Sequence, residues 1–131
     1  MERNLLVIID DEEDILDLLR YNFVRKGFEV ETFESAHTAW SFISQRRPDV
    51  ILCDWMMPGM NGLDFCKKVK ADHALSSIPF IMVTCRNERT AISQAYAAGV
   101  ADYVVKPVRL LDLISKVKDL LSQKSSQSAQ A

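Results

Sequence analysis

Five short runs of branched apolar residues alternate with five stretches of helical spacing, and this alternation limits what the chain can fold into. The runs cover residues 5–9, 28–33, 50–53, 78–83 and 101–105. Four are near-continuously apolar, the pattern of strands covered on both faces. The second, "FEVETF", sets Phe28, Val30 and Thr32 against acids and reads as an edge strand. Between the runs the spacing predicts helices over 14–26, 35–45, 63–71, 88–98 and 110–121. In the first, Ile15, Leu18, Leu19 and Phe23 share a side, and Gly27 marks its end. Ser35 fits as N-cap of the second, Gly99 closes the fourth, and Leu110, Ile114, Val117 and Leu121 line the fifth. Strand and helix alternating in this way give an α/β fold: a parallel sheet with helices on both faces.

A chain of 131 residues is one domain by ordinary size. Near this length about two-thirds of the unfolded surface is buried on folding. The net charge of -2 gives no electrostatic footprint for nucleic acid or an anionic membrane. No apolar run approaches the roughly 18 residues of a spanning helix, and the start, "MERN", is no signal peptide. Cys53, Cys66 and Cys85 form no CxxC and read as reduced thiols of a cytoplasmic protein, buried and inert. From Lys124 the segment "KSSQSAQA" is small and polar. The expected organisation is one domain over 1–123 and a disordered tail or linker remnant over 124–131.

In an open α/β sheet, ligands bind beyond the carboxyl ends of the strands. The first run ends in Asp10-Asp11, the third in Asp54, the fourth in Thr84 and the fifth in Lys106-Pro107. An acid after a strand can simply cap the next helix, as Asp11 or Glu12 would do near residue 14. Three acids leaving neighbouring strands are another matter. Two carboxylates ~4 Å apart repel by about 4 kcal/mol at an effective dielectric of 20. A hard divalent cation relieves that repulsion. Mg²⁺ takes one or two carboxylates, waters and a phosphate oxygen. The EF-hand spacing that calcium favours is absent, and His37 and His73 have no zinc-ligand partners. With Lys106 and Thr84, the acids outline a site for a tetrahedral anion around a carboxylate nucleophile.

"VIIDDEEDI" (7–15), "DWMMPGMNG" (54–62), "FIMVTCR" (80–86) and "ADYVVKPV" (101–108) together resemble the signatures of the response-regulator receiver domain. The likeness covers residues 4 to about 122. It implies the CheY-like, flavodoxin-like three-layer sandwich, with five parallel strands in the order 2-1-3-4-5 and five helices. It implies that Asp54 takes a phosphoryl group from the phosphohistidine of a sensor histidine kinase or a phosphotransfer protein. Asp11 would ligate Mg²⁺ directly, Asp10 mostly through water, Asp54 by its carboxylate and Met56 by its main-chain carbonyl. Lys106 would pair with Asp54 and then with a phosphoryl oxygen, and the Thr84 hydroxyl would donate to that group. Tyr103 would be the aromatic switch residue, Lys106-Pro107 a cis peptide, and Pro58-Gly59 and Gly62 would shape the loop over the site. Cys85 and Val108 depart from the residues most common at their positions.

Such a protein is a signalling switch that catalyses only its own phosphorylation and dephosphorylation. Its partner is a downstream effector or a fused output domain, reached through the fourth helix, fifth strand and fifth helix. The same face would serve a homodimer, although the residues do not make one legible. An aspartyl-phosphate phosphatase carries a D-x-D nucleophile pair, and here Trp55-Met56 follows Asp54. A phosphate-independent module often lacks a site residue, and none is missing. The glycine motifs of nucleotide-binding proteins are absent.

Overall fold

The computed structural model describes residues 3–130, with side chains through residue 123. Strands β1 (Leu5–Ile9), β2 (Glu29–Phe33), β3 (Val50–Cys53), β4 (Phe80–Thr84) and β5 (Asp102–Val105) form a parallel sheet in the order β2-β1-β3-β4-β5. The helices are α1 (Glu13–Arg25), α2 (Ala36–Ile43), α3 (Gly62–Ala71), α4 (Arg89–Ala98) and α5 (Leu110–Gln130). Strand order and the alternation of elements are those expected.

Successive side chains of a strand point to opposite faces, so each central strand feeds two cores. Leu6, Ile8, Val50, Leu52, Ile81 and Val83 pack with Leu16, Leu19 and Phe23 of α1 and Leu113, Ile114 and Val117 of α5. Val7, Ile9, Ile51, Cys53, Phe80 and Met82 face the other way, onto α2, α3 and α4. There Phe65 and Val69 supply bulk, while Ala39, Ala91 and Ala95 let their helices approach the sheet. Burying one large apolar side chain contributes roughly 1.5–3 kcal/mol.

The expected punctuation is present. Gly27 (φ 94°) and Gly99 (φ 111°) take left-handed backbone at the ends of α1 and α4. Ser35 Oγ accepts the Thr38 N–H at 3.3 Å and caps α2. Other expectations need correction. The buried side of α1 is Leu16, Leu19 and Phe23, and Leu18 faces solvent. Run 101–105 is not covered on both faces: β5, at the expected edge of the sheet, is only partly buried, and Val105 at its end is exposed. Cys53 and Cys66 are buried, but Cys85 is exposed. The helix expected to end at residue 121 has its backbone bounds at Leu110–Gln130. No Gly or Pro interrupts "QKSSQSAQ", so nothing there stops a helix. The side chains of that segment lie outside the described residues.

Candidate functional site

The parallel ladder extends one hydrogen bond past three strands and so fixes three side chains. Asp10 donates its N–H to the Phe33 carbonyl at 3.0 Å, Asp54 to Ile9 at 2.9 Å, and Lys106 to Thr84 at 2.9 Å. Each is the first residue beyond its strand, held as firmly as the sheet. Register pairs Ile9 with Cys53, which sets Asp10 beside Asp54. The Lys106-Pro107 bond is cis, as expected.

Lys106 closes this group from the edge of the sheet. Its Nζ lies 2.8 Å from Asp10 Oδ2, 3.0 Å from Asp54 Oδ2 and 3.3 Å from Glu12 Oε1. The Lys106, Asp10 and Asp54 side chains are 6%, 3% and 7% exposed, whereas that of Glu12 is 59% exposed. Burial works against the charge of Lys106, but its hydrogen bonds to Asp10 and Asp54 outweigh this and raise its pKa. Burial raises the pKa of Asp10, against the opposing pull of Lys106 and of the Glu12 N–H at 2.9 Å. The ammonium therefore keeps its proton and faces more negative charge than it can balance.

Carboxylate oxygens of Asp10, Asp11, Glu12 and Asp54 all lie within 4.8 Å of one another. Ligand oxygens at ~2.1 Å from Mg²⁺ sit roughly 3–4 Å apart, so this all-oxygen set fits that ion. His37 and His73 are exposed on α2 and in the loop after α3, as expected, and take no part.

A loop at the mouth of the site follows Asp54. Asp54 Oδ1 accepts the Met56 N–H at 3.3 Å, while the Met56 side chain faces solvent. Gly59 turns the loop with φ 76°, and Asn61 caps α3 by accepting the Asp64 N–H at 2.8 Å. Gly62 donates to the Trp55 carbonyl at 2.7 Å. A Cβ on Gly62 would collide with the Asp54 carbonyl oxygen and lie 2.8 Å from Trp55 Cα.

Thr84 and Tyr103 stand one step away. Thr84 is fully buried, and its Oγ1 accepts the Arg86 N–H at 3.4 Å. Tyr103 is half-buried and donates its hydroxyl to the Arg86 carbonyl at 2.7 Å. Arg86 thus connects the two residues through its main chain. Its guanidinium lies 4.4 Å from the centroid of the Trp55 ring and pairs with Glu88 at 2.9 Å. Arg86, Trp55, Asp11, Met56 and Asn61 line a cleft of about 560 Å³ beside Asp54.

Asp10, Asp54 and Lys106 meet by direct contact, with Asp11 in the same cluster. Thr84, Met56 and Tyr103 join through the backbone. Sequence reading passed over Arg86 and gave Glu12 only a capping role. Arg86 lies two residues past Thr84, and Glu12 directly follows the acidic pair, so adjacency was the available signal. Glu12 does stand at the α1 N-cap, but its side chain makes no capping hydrogen bond.

Comparisons with known proteins identify the family and the fold. The family model "Response regulator receiver domain" matches residues 6–118. The phosphate regulon transcriptional regulatory protein PhoB of Rhizobium meliloti (strain 1021) is 36% identical over 116 residues, 88% of this chain and 51% of that protein. The DNA-binding response regulator MtrA of Mycolicibacterium smegmatis is 28% identical over 128 residues, 98% of this chain and 55% of that protein. The chain spans about half the length of these curated relatives. Among solved structures, a CheY-like receiver domain protein from Methanospirillum hungatei JF-1 superposes with a TM-score of 0.90 at 26% identity, covering 96% of this chain and 99% of that one. A two-component response regulator from Clostridium difficile gives 0.88 at 26% identity, covering 93% and 98%. The chain belongs to the response regulator receiver domain family, the signalling-switch domain of two-component systems.

Proposed function

We propose that Asp54 is the phosphoacceptor and that the chain works as a phosphorylation-controlled switch in a phosphorelay. The observation that carries this reading is the buried Asp54 carboxylate, 3.0 Å from Lys106, inside a cluster of acids that fits Mg²⁺. An Asp54 oxygen attacks phosphorus and forms the new O–P bond. The bond from phosphorus to the donor nitrogen or oxygen breaks, and the leaving group takes the electron pair. Such a transfer depends on alignment and on neutralising oxygen charge. Lys106 turns from the carboxylate to a phosphoryl oxygen, and the Thr84 hydroxyl donates to another. Asp10, Asp11, Asp54 and the Met56 carbonyl would hold Mg²⁺, which supplies further positive charge to the phosphoryl oxygens when bound.

The donor is a phosphohistidine on a sensor histidine kinase or phosphotransfer protein. The product acts on a downstream effector or a fused output domain through α4, β5 and α5, the face that would also serve a homodimer. The relatives are named as transcriptional or DNA-binding regulators, and this chain matches about half of each. Its net charge of -2 gives no overall electrostatic footprint for nucleic acid. No helix among the described residues is long and apolar enough to cross a membrane; the cytoplasm is the site of action that goes with a phosphorelay partner.

Incubation with acetyl phosphate and Mg²⁺, followed by intact mass, tests the reading. Wild type should gain one phosphoryl group. Asp54→Asn should gain none, and chelation of Mg²⁺ should suppress the gain in wild type. Equal labelling of Asp54→Asn would overturn the assignment.

A further inference from the structure

We propose that Glu12 is a positioning residue that holds Lys106 away from the incoming phosphoryl group and must release it for transfer. The inference rests on Asp54 being the acceptor. Lys106 has three carboxylate partners, and they are not equivalent. Asp10 and Asp54 are buried, and each carboxylate has a second hydrogen bond, from the Glu12 N–H and the Met56 N–H respectively. Glu12 makes the longest contact, 3.3 Å, from a side chain that is mostly in water.

The local backbone does not explain this side chain. Glu12 sits at the α1 N-cap in extended conformation, where Ser, Thr, Asp or Asn would satisfy a free helix N–H. Its carboxylate makes no such bond and reaches instead to Lys106. That reach adds a negative charge to a group already rich in acids, at the place where a phosphoryl oxygen needs a cation. A phosphoryl group is itself anionic, so it competes with Glu12 for the same ammonium and is repelled by the same carboxylate. Of the three partners, Glu12 alone can swing into solvent without leaving a buried charge unpaired. The buried acids orient Lys106, and the exposed one restrains it until a stronger anion takes over.

The test uses the whole chain and beryllofluoride, a mimic of a phosphoryl group on Asp54, at saturating Mg²⁺. Binding is read by Trp55 fluorescence and by NMR. An exposed ion pair contributes about 0.2–1 kcal/mol, so Glu12→Gln should lower the half-saturating beryllofluoride concentration by roughly 1.4- to 5-fold. Mg²⁺ affinity should not rise in the same variant, since a carboxylate has been removed from the cluster. Glu12→Asp separates contact from charge: it keeps the carboxylate but falls one methylene short of Lys106. It should bind beryllofluoride more tightly than wild type, in the direction of Glu12→Gln. Unchanged or weaker binding by Glu12→Gln overturns the inference, as does a Glu12→Asp variant that matches wild type. Neither result touches Asp54 as acceptor, which fails only if wild type and Asp54→Asn respond to beryllofluoride alike.

Discussion

Removing Lys106 leaves two buried carboxylates without a counter-charge. Breaking such a group by deleting one partner costs about 3–5 kcal/mol, most of it the burden of the stranded charges. Lys106→Met should lose roughly 3 kcal/mol at pH 7. The loss should shrink in mild acid. Burial already raises Asp10 above its ordinary 3.8, and the Lys106 hydrogen bond is the largest influence holding it down. Without that bond Asp10 rises further, so the native state takes up a proton at a pH where the unfolded chain does not. Stability of the variant therefore increases as pH falls toward Asp10's unfolded value and declines as pH rises through its native one. In wild type the raised pKa of Lys106 gives a contribution that is complete below its ordinary 10.5 and fades only as pH climbs through the higher native value. Urea denaturation of both proteins at pH 7 and pH 5 checks this. An equal gap at the two pH values would show that the stranded acids are not the cause.

The loop after Asp54 and the first turn of α3 behave as one piece, because Gly62 packs on the main chain of Asp54. Gly62→Ala should force the loop away from Asp54, cost about 2 kcal/mol and slow labelling by acetyl phosphate. Thermal melts and a labelling time course measure both effects. An unchanged melting temperature with wild-type labelling would mean that the loop accommodates the methyl group. Elements of this kind were legible where a residue has one conformational use, as with Gly27, Gly99 and Ser35. They were less legible where tertiary packing decides. Ile15 and Leu18 look as apolar as Leu16, and only the position of α1 over β1 and β3 selects Leu16 for the core. The apolar residues of β5 do not reveal that it lies at an edge. At the site, Asp10, Asp11, Asp54, Thr84 and Lys106 could be read because each leaves the carboxyl end of a strand. The contacts of Glu12 and Arg86 come from side-chain reach and loop path, which spacing along the chain does not encode.

At the scale of the whole molecule, Arg86 ties the buried end of β4 to the surface of β5. Its N–H is bound to Thr84 and its carbonyl to Tyr103. A phosphoryl group on Asp54 that captures the Thr84 hydroxyl would disturb the first bond, and the second is made by the carbonyl of the same residue. Moving a two-state surface from 1:99 to 99:1 takes about 5.5 kcal/mol, a sum within reach of several charge-assisted contacts. Thr84→Ala should still bind beryllofluoride at Asp54 but lose most of the chemical-shift response at Tyr103 and across α4. Full wild-type shifts in the variant would rule out this route. The clasp at Lys106 also has a consequence in time. It joins residues 96 positions apart to Asp10 and 52 apart to Asp54. Contacts so distant in sequence close late, after intervening elements have docked. A nascent chain still lacking β5 carries Asp54 without the ammonium that, in the proposed transfer, meets a phosphoryl oxygen. On that proposal, readiness for the signal waits on completed synthesis, because a chain that stops before Lys106 lacks the cation that Asp10 and Asp54 hold between them.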